Sequence, residues 1–520
     1  MNTPVLIVGA GPTGLVLALS LARQGIAFRI VSAANGPGEH SRAMVVQART
    51  LEFYDQFGFA DEVVSAGIKI ETANLREQDK NGSHEVDTLT FADLGAGLSA
   101  YPFPLSYPQD DHEKFLVQKL QQLGVQVEWN KRLGKFVDGG HTVTATLEHG
   151  GQHEIVTAAY ICGCDGARSV VRTTLALDFP GGTYEQLFYV ADVQREPQPA
   201  ELEICLGEKL FALVLPVRSS GMQRLIGIVP VEFSSRPDIT FDDIRSHIEP
   251  LLGAPVKSVN WFATYRVHHR VAEHFRVGRA FLLGDAGHIH SPAGGQGMNT
   301  GIGDAVNLGW KLAQVLSKRA HESILDSYEA ERIGFARNLV ETTDRAFTSL
   351  VAPGFLGTAI RRFFVPTMFN AATKFSVARH AAFRVISQIR IHYHDSLLSV
   401  GKAGEVRGGD RLPWILFDDG NQAVDNFDAL KSLDWQVHIY GNPSAQLTGA
   451  CSDLNLPLHI FQYSKQCSDA GLERDALYLI RPDEHVALAA SDNAEQELHE
   501  YVGRFGLRMN APSGGATPAP

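Results

Sequence analysis

An apolar run at residues 5–8 ends at Gly9, and Leu15, Leu19 and Ala22 then recur at helical spacing through residues 12–24. With a further apolar run at 27–31, this predicts a strand–helix–strand unit of about 30 residues. A helix is expected at 46–57, closed by Gly58, followed by a strand-like, proline-punctuated stretch at 70–107. Residues 111–123 read as a helix leading into 125–129. Strands then alternate across Gly139-Gly140 and Gly150-Gly151 up to Asp165. Residues 180–270 read mostly as strands, and with 70–107 they are expected to build one sheet outside the first unit.

An apolar strand returns at 279–283, and 299–316 has a strong helical period. Residues 329–399 read as helices broken near Pro353-Gly354 and at Pro366. Phe355, Phe363, Phe364, Phe369, Phe375 and Phe383 there are expected to pack between helices. Residues 404–413 read as a linker. Runs at 435–440, 456–462, 476–480 and 486–490, with a turn at Pro482-Asp483, give a small α/β module. The Gly-, Pro- and Ala-rich tail 510–520 is expected to be disordered.

A chain of 520 residues, 44% hydrophobic, can bury the cores of two to four domains. Its net charge of −12 argues against general affinity for nucleic acid or an anionic membrane. No targeting or membrane-spanning segment is read, so a cytoplasmic location is the default. The five cysteines lack zinc or Cys-x-x-Cys spacing and are expected to be reduced and structural; no metal site is predicted.

Three glycine-acid segments carry the chemistry. In Gly9-Ala10-Gly11-Pro12-Thr13-Gly14, Gly9 permits the tight turn, Gly11 lets the backbone approach a pyrophosphate, and Gly14 lets helix and strand pack closely. The helix end directs free N–H groups at the phosphates. Ser32 stands where such folds usually place an acid for the adenosine ribose. Asp165-Gly166 marks a strand-to-helix turn. Gly284-Asp285 closes a buried strand, and Pro292, Gly295, Gly297, Met298 and Asn299 then lead into a helix whose positive end suits the flavin edge that becomes anionic on reduction.

On these segments, in this order, the chain resembles the single-component FAD-dependent aromatic hydroxylases, the family of para-hydroxybenzoate, phenol and aromatic polyketide hydroxylases. The resemblance covers residues 1 to about 400. It extends to Ser41-Arg42-Ala43, Arg49-Thr50-Leu51-Glu52, Gln109, Asp304-Ala305-Val306-Asn307-Leu308, Trp310-Lys311-Leu312, Ser387-Gln388-Ile389-Arg390-Ile391 and Tyr393. It implies an α/β fold in which a Rossmann-like FAD-binding domain (1–70, 108–178, 275–345) carries an inserted β-sheet substrate domain (71–107, 179–274). A helical segment (346–403) and a C-terminal thioredoxin-like domain (404–509) without a redox cysteine pair complete it.

The resemblance further implies noncovalent FAD, with Arg42 and Gln109 helping to hold it and Asp285 at its ribityl and phosphate region. Met298 and Asn299 would present backbone donors to the ring, and Asp165-Gly166 would serve both FAD and NADH or NADPH. The implied reaction consumes O2 and passes oxygen through a C4a-hydroperoxyflavin to a phenolic or polycyclic aromatic substrate. A homodimer is an allowed assembly. A gap-free register against para-hydroxybenzoate hydroxylase puts Ile204, Leu215 and Val217 at that enzyme's polar substrate contacts, with Leu213 beside them, which implies an apolar pocket. Tyr265 and His268 are candidate groups for phenol deprotonation, against the plainer reading of ordinary strand hydrogen bonding. The competing readings are a non-hydroxylating flavin halogenase or reductase of this fold, and a flavin-binding sensor or scaffold.

Overall fold

A computed structural model describes residues 2–39, 43–196, 201–218, 220–291, 295–351, 360–418 and 423–509. Its first layer is a seven-stranded sheet centred on the strand Asn2–Val8, which lies parallel between Phe28–Val31 and Gln152–Gly163. Gln152–Gly163 is in turn parallel to Ala280–Leu282. Strands that are apolar throughout, such as Ala280–Leu282, fit a sheet covered on both faces. The helices Pro12–Arg23 and Gln296–Leu316 pack against each other, and Leu15, Leu19, Ile302, Leu308 and Leu312 lie in the same buried cluster as the strands. The carboxyl ends of the parallel strands therefore open between these two helix N-termini.

The second layer is an eight-stranded sheet to which both excursions contribute. Thr72–Asp79 pairs parallel with Leu202–Leu206, next to Phe211–Val217 and Met222–Ile228. Gly181–Arg195 and Val256–Val271 complete its other half. One element was not expected from the strand-rich pattern: the helix Phe241–Leu252, started by a Thr240–Asp243 capping box and ended at the left-handed Gly253.

The C-terminal sheet has six strands. Leu458–Phe461 runs parallel to Gln436–Tyr440, followed by antiparallel Leu477–Ile480 and Val486–Ala490. Val400–Ala403, expected in the helical segment, pairs with Val486–Ala490 and so belongs to this sheet. Nor are residues 404–413 a free linker. Val406 and Leu412 are buried in the module's core, and Arg411 donates to both Glu52 oxygens at 2.9 and 2.5 Å. Burial and a charged anchor fix a stretch that its glycine content made look loose. The tail 510–520 lies outside the described residues.

The module is joined to the first domain by buried charge. Its turn Arg481–His485 reaches between the helices Ala48–Gln56, Gln296–Leu316 and Asp326–Val351. Arg481 donates to both Glu331 oxygens at 2.7 and 2.9 Å, and Lys311 donates to Glu331 at 2.7 Å, all three side chains being fully buried. Burial alone would raise the Glu331 carboxyl, but Arg481 and Lys311 hold it down at about 2. Arg49 pairs with Glu52 and Glu484 and donates to the Asp483 carbonyl at 2.8 Å.

Candidate functional site

At the end of strand Asn2–Val8 the chain turns through Gly9, whose φ of +107° favours glycine. A Cβ there would lie 2.2 Å from the Cys164 carbonyl oxygen, and one at Gly14 would lie 2.0 Å from the Gly9 carbonyl oxygen. Gly11 is different: nothing lies within 4 Å of its Cβ position. With Pro12 at the first helical position, the N-terminus of Pro12–Arg23 is bare toward this space. Thr13 packs against two more glycines, its Oγ1 standing 2.6 and 2.3 Å from the Cβ positions of Gly284 and Gly301. Three distant segments thus meet around one hydroxyl, a contact that no single motif announced.

Gly11, Pro12 and Thr13 line one end of a cavity of about 1590 Å³. Gln109, Gly166, Asp285, Gly295, Gly297 and Met298 line it as well. Asp285 lines the cavity with its surface accessible; the surrounding protein raises its carboxyl by desolvation, and His288 opposes the rise. Gly295, at φ +64°, turns the chain into the helix Gln296–Leu316, whose first turn faces the same space. The Gln109 side chain donates to Glu113 at 2.8 Å, while Glu113 accepts from the Gly38 N–H at 2.8 Å, which ties the loop after the second strand to this wall. Ser32 accepts from the Ala34 N–H at 3.3 Å and so serves its own turn.

Other expected site residues have different positions. Asp165 accepts from the Val170 and Val171 N–H groups at 2.7 and 3.2 Å, so it caps the helix Val170–Thr174, and it is the neighbouring Gly166 that lines the cavity. The Asn299 side chain is fully engaged. It accepts from the Gln47 N–H and Thr50 hydroxyl at 2.9 and 2.8 Å and donates to the Val45 and Gly295 carbonyls at 2.8 Å. That side chain pins the start of Ala48–Gln56 to the helix beneath it, while the donor expected of Asn299 is its backbone N–H in the first turn of Gln296–Leu316. Arg42 and Pro292 lie outside the described residues.

The other end of the cavity is apolar, with Ile204, Leu213 and Leu215 in its wall beside Ile70, Leu89 and Ile226. Val217 does not join them. It shares their face of the strand, but the strand runs past the cavity and Val217 is buried against a cluster containing Met44 and Ala48. Tyr265 and His268 also line the cavity; His268 Nδ1 is hydrogen-bonded to Thr183 Oγ1 at 2.7 Å, and the Tyr265 ring packs on Phe188.

One lining residue was not among those expected from the sequence. His290 lies beside Gly297, its Nε2 buried without a hydrogen-bond partner, and burial followed by His288 lowers its imidazole to about 4. Its neighbour Ser291 likewise has a buried, unpartnered hydroxyl, as does one oxygen of Asp165. Buried polar atoms without partners are uncommon. Set beside the open Gly11 and two bare helix ends, they fit a polar ligand of dinucleotide shape such as FAD. Among the described residues no group of His, Cys, Asp or Glu could hold a metal ion.

Comparison with known proteins agrees with this geometry. A family model for an FAD-binding domain matches residues 2–343. The chain is 34% identical over 421 residues to the 6-methylpretetramide 4-monooxygenase of Streptomyces rimosus, covering 78% of this chain and 72% of that one. It is 29% identical over 522 residues to a flavin-dependent monooxygenase of Mycobacteroides abscessus, covering 96% and 99%. The structure of the anhydrotetracycline hydroxylase OxyS from Streptomyces rimosus superposes with a TM-score of 0.74 at 25% identity, over 97% of this chain and 99% of that one. With that match spanning residues 2–343 and its glycine turn, second glycine-led helix and sheet order in place, the chain belongs to the FAD-binding domain family.

Proposed function

We propose that the protein is an FAD-dependent monooxygenase that hydroxylates a phenolic or polycyclic aromatic compound, using O2 and NADH or NADPH. The observation that carries this reading is the continuity of the cavity, which runs from the open Gly11 turn to an apolar chamber behind Met298. Relatives named as a 6-methylpretetramide 4-monooxygenase and a 12-dehydrotetracycline 5-monooxygenase/anhydrotetracycline 6-monooxygenase support it.

The N-terminus of Pro12–Arg23 would hold the pyrophosphate, Asp285 the ribityl region, and the first turn of Gln296–Leu316 the ring. Held there, FAD would supply the redox chemistry between the nicotinamide and O2. The protein supplies orientation and dryness. Ile204, Leu213 and Leu215 exclude water from the face where the substrate must sit. When His268 Nδ1–H donates to Thr183 Oγ1, its Nε2 keeps the lone pair that can take a phenolic proton. His290, neutral at physiological pH, can hydrogen-bond at the ring edge without adding charge.

The C-terminal module is thioredoxin-like in our reading, from its strand order and its two flanking helices Ala445–Asp453 and Ala494–Phe505. It has no cysteine pair, since Cys451 and Cys467 are separate and free. Its work is structural.

The chamber also selects against charge. Among the described lining residues Arg266 is the one Arg or Lys, and it donates to the Glu185 carbonyl at 2.8 Å. An unpaired carboxylate buried there would cost roughly 2–7 kcal/mol or more, whereas each Å² of apolar ring removed from water gains about 25 cal/mol. Neutral phenols should therefore stimulate NAD(P)H oxidation, with a hydroxylated product by mass spectrometry, better than para-hydroxybenzoate does. Leu215→Arg should lower kcat/KM for the neutral series by roughly tenfold or more. Stimulation without oxygen incorporation overturns the hydroxylase reading; para-hydroxybenzoate as the best substrate overturns the apolar chamber alone.

A further inference from the structure

The chain's average charge conceals a local exception. Residues 345–394 contain seven Lys or Arg and not one of the chain's 58 Asp and Glu. Part of this segment forms the helices Val365–Lys374 and Ser376–Ile386, preceded by the helical turn Ile360–Phe364. They wall the cavity mouth through Phe364, Met368, Phe369 and Ile386.

The outer side of this wall is apolar as well as basic. Phe363, Phe364 and Phe375 are 66%, 58% and 65% exposed, and they are the exposed phenylalanines among the described residues. Val377 and Val385 are exposed beside them at 81% and 56%, as are Lys374 and Arg384. Asp87 on the neighbouring strand is engaged by Asn370 at 3.5 Å. These phenylalanines were expected to pack between helices; the structure instead turns Phe363, Phe364 and Phe375 outward around the entrance.

We propose that this helical wall docks on an anionic lipid bilayer, with its phenylalanines among the headgroups and its Lys and Arg side chains on lipid phosphates. Aromatic side chains interleaved with cations on a helical face are the pattern of interfacial binding, where apolar insertion and charge attraction act together. No helix among the described residues is long and apolar enough to cross a membrane, so the contact is peripheral. A second copy of the chain is the poorer occupant. A two-fold contact through these helices, whose own charges are all positive while the nearest carboxylates, Asp87 and Asp93, lie on the neighbouring strand and helix, would bring cation against cation, whereas a bilayer of negative headgroups complements them. The docked entrance would open toward the bilayer, where apolar aromatics concentrate. The docking stands independently of the substrate's identity.

The test uses the full-length, FAD-loaded protein with vesicles of phosphatidylcholine, pure or with about 30% phosphatidylglycerol, at low and high salt. The wild type should sediment with the anionic vesicles at low salt and remain in solution with the neutral ones. Each Lys or Arg near the surface contributes about fivefold in affinity, so Lys374→Glu with Arg384→Glu should weaken binding by roughly 25-fold or more. Phe375→Ser with Val377→Ser should weaken it while retaining charge. Neither pair lines the cavity, so flavin content and melting temperature should match the wild type and show that the variants are folded. Absence of wild-type binding to anionic vesicles, or binding by both double variants as tight as the wild type's, overturns the proposal. So does concentration-dependent self-association that replaces vesicle binding and disappears in the same variants, which assigns the face to a second copy.

Discussion

Gly11 and Gly14 differ in what a methyl group would meet. At Gly14 it would be 2.0 Å from a backbone oxygen, so Gly14→Ala must displace the turn or the helix, at about 1–3 kcal/mol or more. At Gly11 the added methyl meets only the space assigned to the pyrophosphate. Thermal melting of the flavin-free proteins should therefore show Gly14→Ala lowered by several degrees, roughly 2–4 °C per kcal/mol, and Gly11→Ala unchanged. Flavin titration should then show Gly11→Ala weakened by about tenfold or more. Equal melting of the two variants contradicts the division of labour. The glycines themselves were legible in the sequence because their spacing follows from the turn. The Thr13 contact with Gly284 and Gly301 was not, since it exists only once three segments converge. The gap-free register grouped Leu213, Leu215 and Val217, of which the first two line the cavity and Val217 does not, for a related reason: a register along a strand gives the face but not where the cavity ends.

Short elements carry the joint between domains. In the turn Arg481–His485, Pro482-Asp483 was readable as a turn, but the destination of its charges depends on a docking surface more than a hundred residues away in the chain. The helix Phe241–Leu252 had a readable start at Thr240 and Asp243 and apolar positions at Ile244, Ile248 and Leu251, yet the surrounding strand pattern masked it. The buried trio Lys311, Glu331 and Arg481 gives a stability prediction. Glu331→Gln leaves both cations short of a counter-charge and should cost about 3–5 kcal/mol in urea unfolding near neutral pH. The sign with pH follows from the lowered carboxyl. Its contribution is complete above the ordinary value of 4.5 and is lost as pH falls through about 2. The gap between wild type and variant should thus narrow over that window, and a constant gap contradicts the ionic account.

At the scale of the whole molecule, the C-terminal module is not a detachable appendage. Removing residues 400–520 would strip Glu331 of Arg481, Glu52 of Arg411, and Arg49 of its contacts with Glu484 and Asp483, and would take Trp435 off the Trp310 ring. A chain ending at residue 399 should fail to give a soluble, cooperatively melting protein; one that folds and takes up flavin refutes this dependence. The three-layer plan was legible in outline from the alternation of strand and helix periods. The shared sheet edges and the boundary before Val400 were not, because pairing partners leave no periodic mark.

The helix Ala48–Gln56 touches both parties at once. Gln47 at its start lines the cavity and is held by Asn299, while Arg49, Glu52 and Gln56 grip the module, Gln56 donating to the Leu430 and Pro482 carbonyls at 3.0 and 2.8 Å. Whatever free energy the cofactor gains from an ordered Gln47, it confers on the docked module, and the module returns the same amount to the cofactor. Flavin binding would then favour the closed joint, and the flavin-free protein should be the form in which the joint opens more readily to proteases and the unfolding machinery of a cell.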